Sequence, residues 1–315
     1  MKTLVRWTAR IVGAMLGLVA LIAIVLYFLG GARLGRTYDL EVPSITVRTD
    51  STAVARGRHL AEAVTLCQAC HGEDLGGGVI FDEPLIASVY ASNLTTGLGG
   101  VGGSYSDQDL VRAIREGVGR DGRGLMIMHS DAFHNLGEDD LGALIAYVKS
   151  APPVDREQPL TRASALGKVM VALGLFDSGS MPLIAAEVID HDAPIAQPPE
   201  RGVSVEYGGY LVSIAVCRMC HGTDFSGGPP IEEGAPPAPS LAAYGLSDGW
   251  SAEQFIATLR TGVNPGGRAL DEKVMPWKVY GHMTDEELAA IQLYLASVIQ
   301  GAPAANHPVP DNGGH

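Results

Sequence analysis

Cys67-Gln-Ala-Cys70-His71 and Cys217-Arg-Met-Cys220-His221 decide how this chain folds, and together they use all four of its cysteines. In each stretch two thiols three residues apart are spaced to form thioethers to the vinyl groups of one haem, and the adjoining imidazole is delivered to the iron. Other chemistry fits less well. A structural zinc site gathers two cysteine pairs about 15 to 20 residues apart, whereas these pairs lie 150 residues apart. A thiol-disulfide centre has no use for a histidine directly after its second cysteine. The pattern therefore predicts two covalently attached haem c groups, one held by Cys67, Cys70 and His71, the other by Cys217, Cys220 and His221. No thiol remains for a disulfide.

Outward from the motifs, the two halves align as a repeat. Ser106-Asp107-Gln108-Asp109 and Ser251-Ala252-Glu253-Gln254 both read as capping-box helix starts, 145 residues apart, opening helices that end near Gly117 and Gly262. Tyr105 matches Trp250 and Arg123 matches Arg268 at the same offset; Met128 matches Met275, and Tyr147 matches Tyr294, at an offset of 147. Each half closes with apolar residues at helical spacing, Leu141, Leu144 and Val148 in one and Leu288, Ile291, Leu295 and Val298 in the other. The second closing helix has a capping box, Thr284 with Glu287; the first begins with Glu138, Asp139 and Asp140, whose charges suit a helix N-terminus. Helices are also expected before each motif, around 52–66 and 206–216. The glycine- and proline-rich stretches 97–103 and 229–239 read as loops, and no run of alternating strands stands out. The expected fold is all-α, two tandem haem domains of three or more helices each.

Residues 11–29 form 19 uncharged, largely apolar positions behind Lys2, Arg6 and Arg10. That is long enough to cross a bilayer, and no small-residue cleavage site follows it, so a retained transmembrane helix is expected, with its basic N-terminus in the cytoplasm. The expected organisation is a cytoplasmic N-terminus (1–10), anchor (11–30), linker (31–50), first haem domain (51–150), inter-domain segment (151–201), second haem domain (202–300) and flexible tail (301–315). The middle of the inter-domain segment, 166–176, is too apolar for a free linker and is expected to pack along both haem units. The first 30 residues hold three bases and no acid, which leaves 19 basic against 35 acidic residues beyond them, a net of −16. Such a surface repels nucleic acid and steers basic protein partners.

A second axial ligand must come from elsewhere in each half, and the repeat nominates Met128 and Met275 over other methionines. Met126, His129 and His134 lie close to Met128 and stay open as alternatives in the first half. His59, His191, His282, His307 and His315 read as surface or structural groups. Arg123 and Arg268 follow glycine turns and pair with haem propionates or are simply solvated. Asn93-Leu94-Thr95 is formally a glycosylation sequon.

With these residues in place the chain resembles tandem class I cytochromes c, and among them the dihaem and multihaem cytochrome c subunits of bacterial membrane-bound dehydrogenases. The resemblance covers about residues 50 to 300. It is carried by both Cys-x-x-Cys-His-Gly motifs, Ser92-Asn93-Leu94-Thr95, Tyr105-Ser106-Asp107, Gly122-Arg123, Met275-Pro276 and the closing helices through Tyr147 and Tyr294. It departs where those subunits commonly carry three motifs and a C-terminal anchor, and where His129 follows Met128 in place of proline. The resemblance implies one-electron transfer by low-spin haem, exposure to the periplasm on a bacterial inner membrane, and assembly with redox partners such as a dehydrogenase subunit, another cytochrome or a terminal oxidase.

Three functions compete. An electron carrier needs both irons saturated, by His71 with Met128 and His221 with Met275. A peroxidase-like dihaem enzyme needs an open or exchangeable site; cysteine ligation is excluded because every thiol is used in attachment. A tethering subunit would place a catalytic partner near the membrane.

Overall fold

The computed structural model describes residues 2–177, 181–230, 235–241 and 249–301. His307, His315, the tail beyond residue 301 and part of the 229–239 loop lie outside them. Helix α1 (Lys2–Leu34) carries the apolar run and extends beyond it, with its apolar side chains exposed along its length. From residue 35 to 50 the chain is largely extended along the first motif-bearing domain, where Val42, Ile45 and Val47 pack on the core.

The first domain is built from α2 (Ser51–His59), running into a π-turn at Leu60–Val64, then α3 (Cys67–His71), α4 (Asp107–Glu116), α5 (Ser130–Phe133) and α6 (Glu138–Ser150). The second repeats it with α8 (Val205–Ile214), α9 (Cys217–His221), α10 (Ala252–Thr261), α11 (Trp277–Tyr280) and α12 (Asp285–Gly301). Helix α7 (Ala165–Ala172) lies in the segment between them. The starts of α4 and α10 are fixed by the expected reciprocal caps, Ser106 with Asp109 and Ser251 with Gln254, and both helices end on a left-handed glycine, Gly117 and Gly262. Thr284 and Glu287 form the third box, with Thr284 Oγ1 accepting from the Glu287 N–H at 3.1 Å. Ser251→Ala removes one such cap and is expected to cost about 1 kcal/mol in denaturant unfolding of the haem-loaded protein.

In each domain the pre-motif helix crosses the closing helix at a glycine. A Cβ on Gly57 would lie 1.9 Å from the Ala143 carbonyl oxygen, and one on Gly208 would lie 1.9 Å from that of Ala290. The domains meet about a pseudo-twofold. Helix α5 of the first packs on α8 of the second, while α11 of the second packs on the π-turn of the first. A buried polar network crosses the same boundary. Arg56 donates to both oxygens of Asp140 at 2.9 Å and to Glu287 at 3.1 Å. His59 meets Glu287 at 2.7 Å, and its counterpart Tyr210 donates to Asp140 at 2.8 Å.

The all-α expectation needs correction, because a three-stranded antiparallel sheet, β1 (Gly78–Glu83), β2 (Ala87–Ala91) and β3 (Arg162–Ala163), covers one flank of the first domain. A register shift between Val79 and Phe81 breaks the period-two pattern of β1, and β2 buries four of its five residues, so neither strand shows alternation in the sequence. The inter-domain segment supplies β3 and then packs on the first domain and the anchor. Val171, Leu183 and Ile184 form a small core with Leu34 and Met126, and Arg33 at the end of α1 bonds Val171, Asp177 and Glu187. Toward the second domain this segment lines a cleft with Val216 and Arg218. The two domains also contact each other directly, and the segment joins that boundary through Ile195 on the shared core and Arg201 on Asp140.

Candidate haem sites

Both motifs are single helical turns entered through a residue in the left-handed region, Leu66 at φ 54° and Val216 at φ 53°, and left through a glycine, Gly72 at φ 78° and Gly222 at φ 80°. A leucine and a valine hold this costly conformation in both halves, which marks the entry to the motif as a fixed geometry. Two further bulky residues, Leu75 and Phe225, repeat it at φ 56° and 62°. The Gly77 and Gly227 N–H groups close the loops onto the His71 and His221 carbonyls at 2.8 and 2.9 Å.

His71 Nδ1 lies 2.9 Å from the Ser92 carbonyl oxygen, and His221 Nδ1 lies 3.1 Å from that of Pro239. A carbonyl only accepts, so Nδ1 carries the proton and Nε2 keeps its lone pair free for a metal. Burial pushes both imidazoles below the usual histidine range, against the upward pull of those carbonyls, so each stays neutral at neutral pH. Burial also pushes the Cys67 thiol up to about 11 and that of Cys217 up to about 12. All four thiols are free, with no disulfide among them.

Sequence reasoning missed the residue that presents the Ser92 carbonyl. Asn93 is buried; its amide donates to Val154 and Arg156 carbonyls at 2.7 and 3.1 Å, and its oxygen accepts from the Thr95 N–H at 2.9 Å. The Asn-Leu-Thr triplet is therefore a loop clamp and not a glycan acceptor.

Met128 and Met275 occupy matching places, each two residues before a short helix and each packed on the shared core. The Met128 carbonyl accepts from the Ser130 N–H at 2.8 Å and that of Met275 from Trp277 at 2.6 Å. The residue between has nearly the same backbone in both, His129 at φ −79°, ψ 47° and Pro276 at φ −74°, ψ 54°. Histidine thus holds the conformation that proline holds in the other half. Met126 turns away, bridging Ile184 in the smaller core. His134 sits between Arg115, 3.3 Å away, and Glu116, 3.7 Å away. Asp131 Oδ1, three residues after Met128, and Trp277 Nε1, two after Met275, are buried with no hydrogen-bond partner among the described residues. The donor set of thiols, neutral imidazole and thioether fits haem c.

Arg123 is exposed beside Asp121 at 3.8 Å, and its backbone, like that of Arg268, closes a glycine turn. Tyr105 and Trp250 pack on the core. His59 and His191 are structural: each pairs with a buried glutamate, Glu287 or Glu116, at 2.7 Å.

The family model described as cytochrome c matches residues 54–152 and again 205–298, one match for each motif-bearing domain. The chain belongs to the cytochrome c family. This cytochrome is 31% identical over 236 residues to a nicotinate dehydrogenase subunit of Pseudomonas putida, covering 70% of the chain and 17% of that protein. It is 27% identical over 267 residues to the fructose dehydrogenase cytochrome subunit of Gluconobacter japonicus, covering 78% of the chain and 52% of that protein. It is 26% identical over 297 residues to the gluconate 2-dehydrogenase cytochrome c subunit of Pantoea cypripedii, covering 83% of the chain and 63% of that one. The cytochrome thus spans only part of each relative, and its apolar N-terminal helix fits a membrane anchor.

Proposed function

We propose that the chain is a membrane-anchored dihaem c-type cytochrome of the bacterial inner membrane, with its haem domains in the periplasm. It carries single electrons from a dehydrogenase or quinol-oxidising donor to a downstream acceptor such as another cytochrome or a terminal oxidase. The observation that carries this reading is the duplicated motif in which each histidine gives its Nδ1 proton to a backbone carbonyl. When bound, each haem supplies reversible one-electron oxidation and reduction. Cys67 and Cys70 would hold one covalently and Cys217 and Cys220 the other, and His71 and His221 would offer Nε2 to the iron.

Met128 and Met275 are proposed as the residues that would supply the second protein ligand to each iron. The shared backbone of His129 and Pro276 supports the pair, and so does the engagement of Met126 and His134 elsewhere. A thioether raises the potential relative to a second imidazole. Each methionine precedes a short helix seated on the other domain, so the ligand loops are buttressed across the boundary. With both irons saturated, the chain would transfer electrons without substrate chemistry of its own. A dehydrogenase partner is proposed because the named relatives are dehydrogenase subunits. A tethering role is a second reading, favoured by the bonds that fasten α1 to the inter-domain segment through Arg33.

Two measurements on the haem-loaded protein test the assignment, pyridine haemochrome after reduction and the near-infrared spectrum of the oxidised form. Pyridine haemochrome should count two haems per chain in the native protein and one in the Cys67→Ala/Cys70→Ala variant. The near-infrared thioether-to-iron band should account for both. A band accounting for one haem would remove Met128 or Met275 from the ligand set and reopen the enzyme reading.

A further inference from the structure

Helix α7 is apolar on nearly every side, yet it is not enclosed. Residues 164–176, Ser-Ala-Leu-Gly-Lys-Val-Met-Val-Ala-Leu-Gly-Leu-Phe, contain one charge and no carboxylate in a chain with 35 acidic residues. One side of the helix, Gly167 and Val171, faces inward and lines an apolar cavity of about 140 Å³ with Phe81 and Val89. A second stripe at helical spacing runs through Leu166, Val169, Met170 and Leu173, of which Leu166 and Leu173 are exposed and Val169 and Met170 half-buried. Leu166 is 53% exposed and Leu173 54%, and Leu175 just beyond is 61% exposed. A helix at a water-facing surface carries polar residues on its outer face; one that is apolar all round is enclosed by protein or lipid. The tip of the β1–β2 hairpin adds to this surface. Leu85 is 81% exposed, and its carbonyl accepts from Ser164 Oγ at 2.6 Å, directly before the first turn of α7.

The position of α7 indicates what covers that face. It packs on the last turns of α1, so closely that a Cβ on Gly30 would lie 1.8 Å from the Lys168 carbonyl oxygen. Lys168 Nζ sits 4.7 Å from the centre of the Tyr27 ring. Tyr27 falls in the final turn of the 11–29 apolar run, which spans about 28 Å and so reaches the headgroup boundary. Tyrosine with a lysine whose stem lies on apolar surface is the usual chemistry of that boundary. Asp177 and Glu187, which follow α7 in the chain, are both paired with Arg33; Asp82 and Glu83, three and two residues before Leu85, are exposed and bound the apolar surface on the hairpin side, and the acidic remainder of the chain is repelled by anionic headgroups.

We propose that the outer face of α7, together with the hairpin tip at Leu85, is a second membrane contact that rests in the bilayer interface beside the anchor. The partner is the phospholipid bilayer itself. The surface does not span; it lies at the boundary and fixes which flank of the first haem domain faces the lipid. This rests on reading α1 as a membrane anchor, and the test separates the two.

The full-length haem-loaded protein is placed in nanodiscs of phosphatidylethanolamine and phosphatidylglycerol that contain a phospholipid with a diazirine in its acyl chain. After irradiation, labelled peptides are mapped by mass spectrometry. Label is expected in residues 165–176 as well as in 11–29, and Leu166→Glu/Leu173→Glu should lose the first while keeping the second. Label confined to α1 would overturn the second contact and leave the anchor standing. Absence of label from 11–29 would remove the anchor reading, and the inference with it.

Discussion

Arg56→Ala is expected to destabilise the protein by about 3–5 kcal/mol, the usual cost of stranding buried charge, and to lower its melting temperature by roughly 10 °C. Its guanidinium is the only cation that touches both Asp140 and Glu287 among the described residues. Both carboxylates are nearly inaccessible to water. Without Arg56, Asp140 keeps Tyr210 and Arg201 and Glu287 keeps His59, which leaves each under-compensated. Thermal unfolding of haem-loaded protein measures the loss. The triple variant Arg56→Met/Asp140→Leu/Glu287→Leu should recover most of it, because a packed apolar replacement removes the stranded charge. Failure of the triple variant to recover would assign the loss to packing of the arginine stem.

The same network sets an acid limit. Burial pushes Glu287 upward, but hydrogen bonds from His59 and the Thr284 N–H, with the charges of His59 and Arg56, hold it at about 2 against an ordinary 4.5. A carboxylate lowered on folding contributes stability that is complete above its unfolded value and is lost as pH falls toward the folded one. The loss should therefore fall between about pH 4.5 and pH 2 and amount to roughly 3 kcal/mol. Glu287→Gln should flatten the stability profile across that window.

Gly208→Ala is expected to disrupt the second domain by about 3 kcal/mol or more, at the upper end of what overpacking costs. The added Cβ would meet the Ala290 carbonyl oxygen at 1.9 Å and the Tyr294 Cβ at 2.8 Å, so α8 and α12 must separate. Backbone on one side and a closing helix on the other leave no flexible atom to yield. Gly57→Ala should do the same in the first domain, against Ala143 and Tyr147. Gly103→Ala meets nothing within 4 Å and serves as the control. Calorimetry resolves which domain melts early. Equal behaviour of all three variants would mean that the helices can part at their crossing at little cost.

What the sequence made legible was local. The caps at Ser106, Ser251 and Thr284, the glycine stops at Gly117 and Gly262, and the two attachment turns each depend on residues a few positions apart, so spacing alone reveals them. The matching methionines were legible because duplication supplies an internal comparison. The hairpin was not, since its bulge and its two-sided burial erase alternation. The clamp at Asn93 was not legible, because its partners Val154 and Arg156 lie about 60 residues away in the chain. Asp140 looked like a charge suited to a helix start, and only the fold brings it to Arg56, 84 residues away.

Arg33 ends the anchor helix with its guanidinium held by Glu187 at 2.6 Å, Asp177 at 2.7 Å and the Val171 carbonyl at 3.0 Å. A flexible tether would let the haem pair sweep a volume and raise its effective concentration near any neighbour within reach. A clamped one does the opposite. If the proposed haem pair is held in this way, turnover would follow the encounter rate with incoming partners and the ionic strength, with no contribution from a swinging arm.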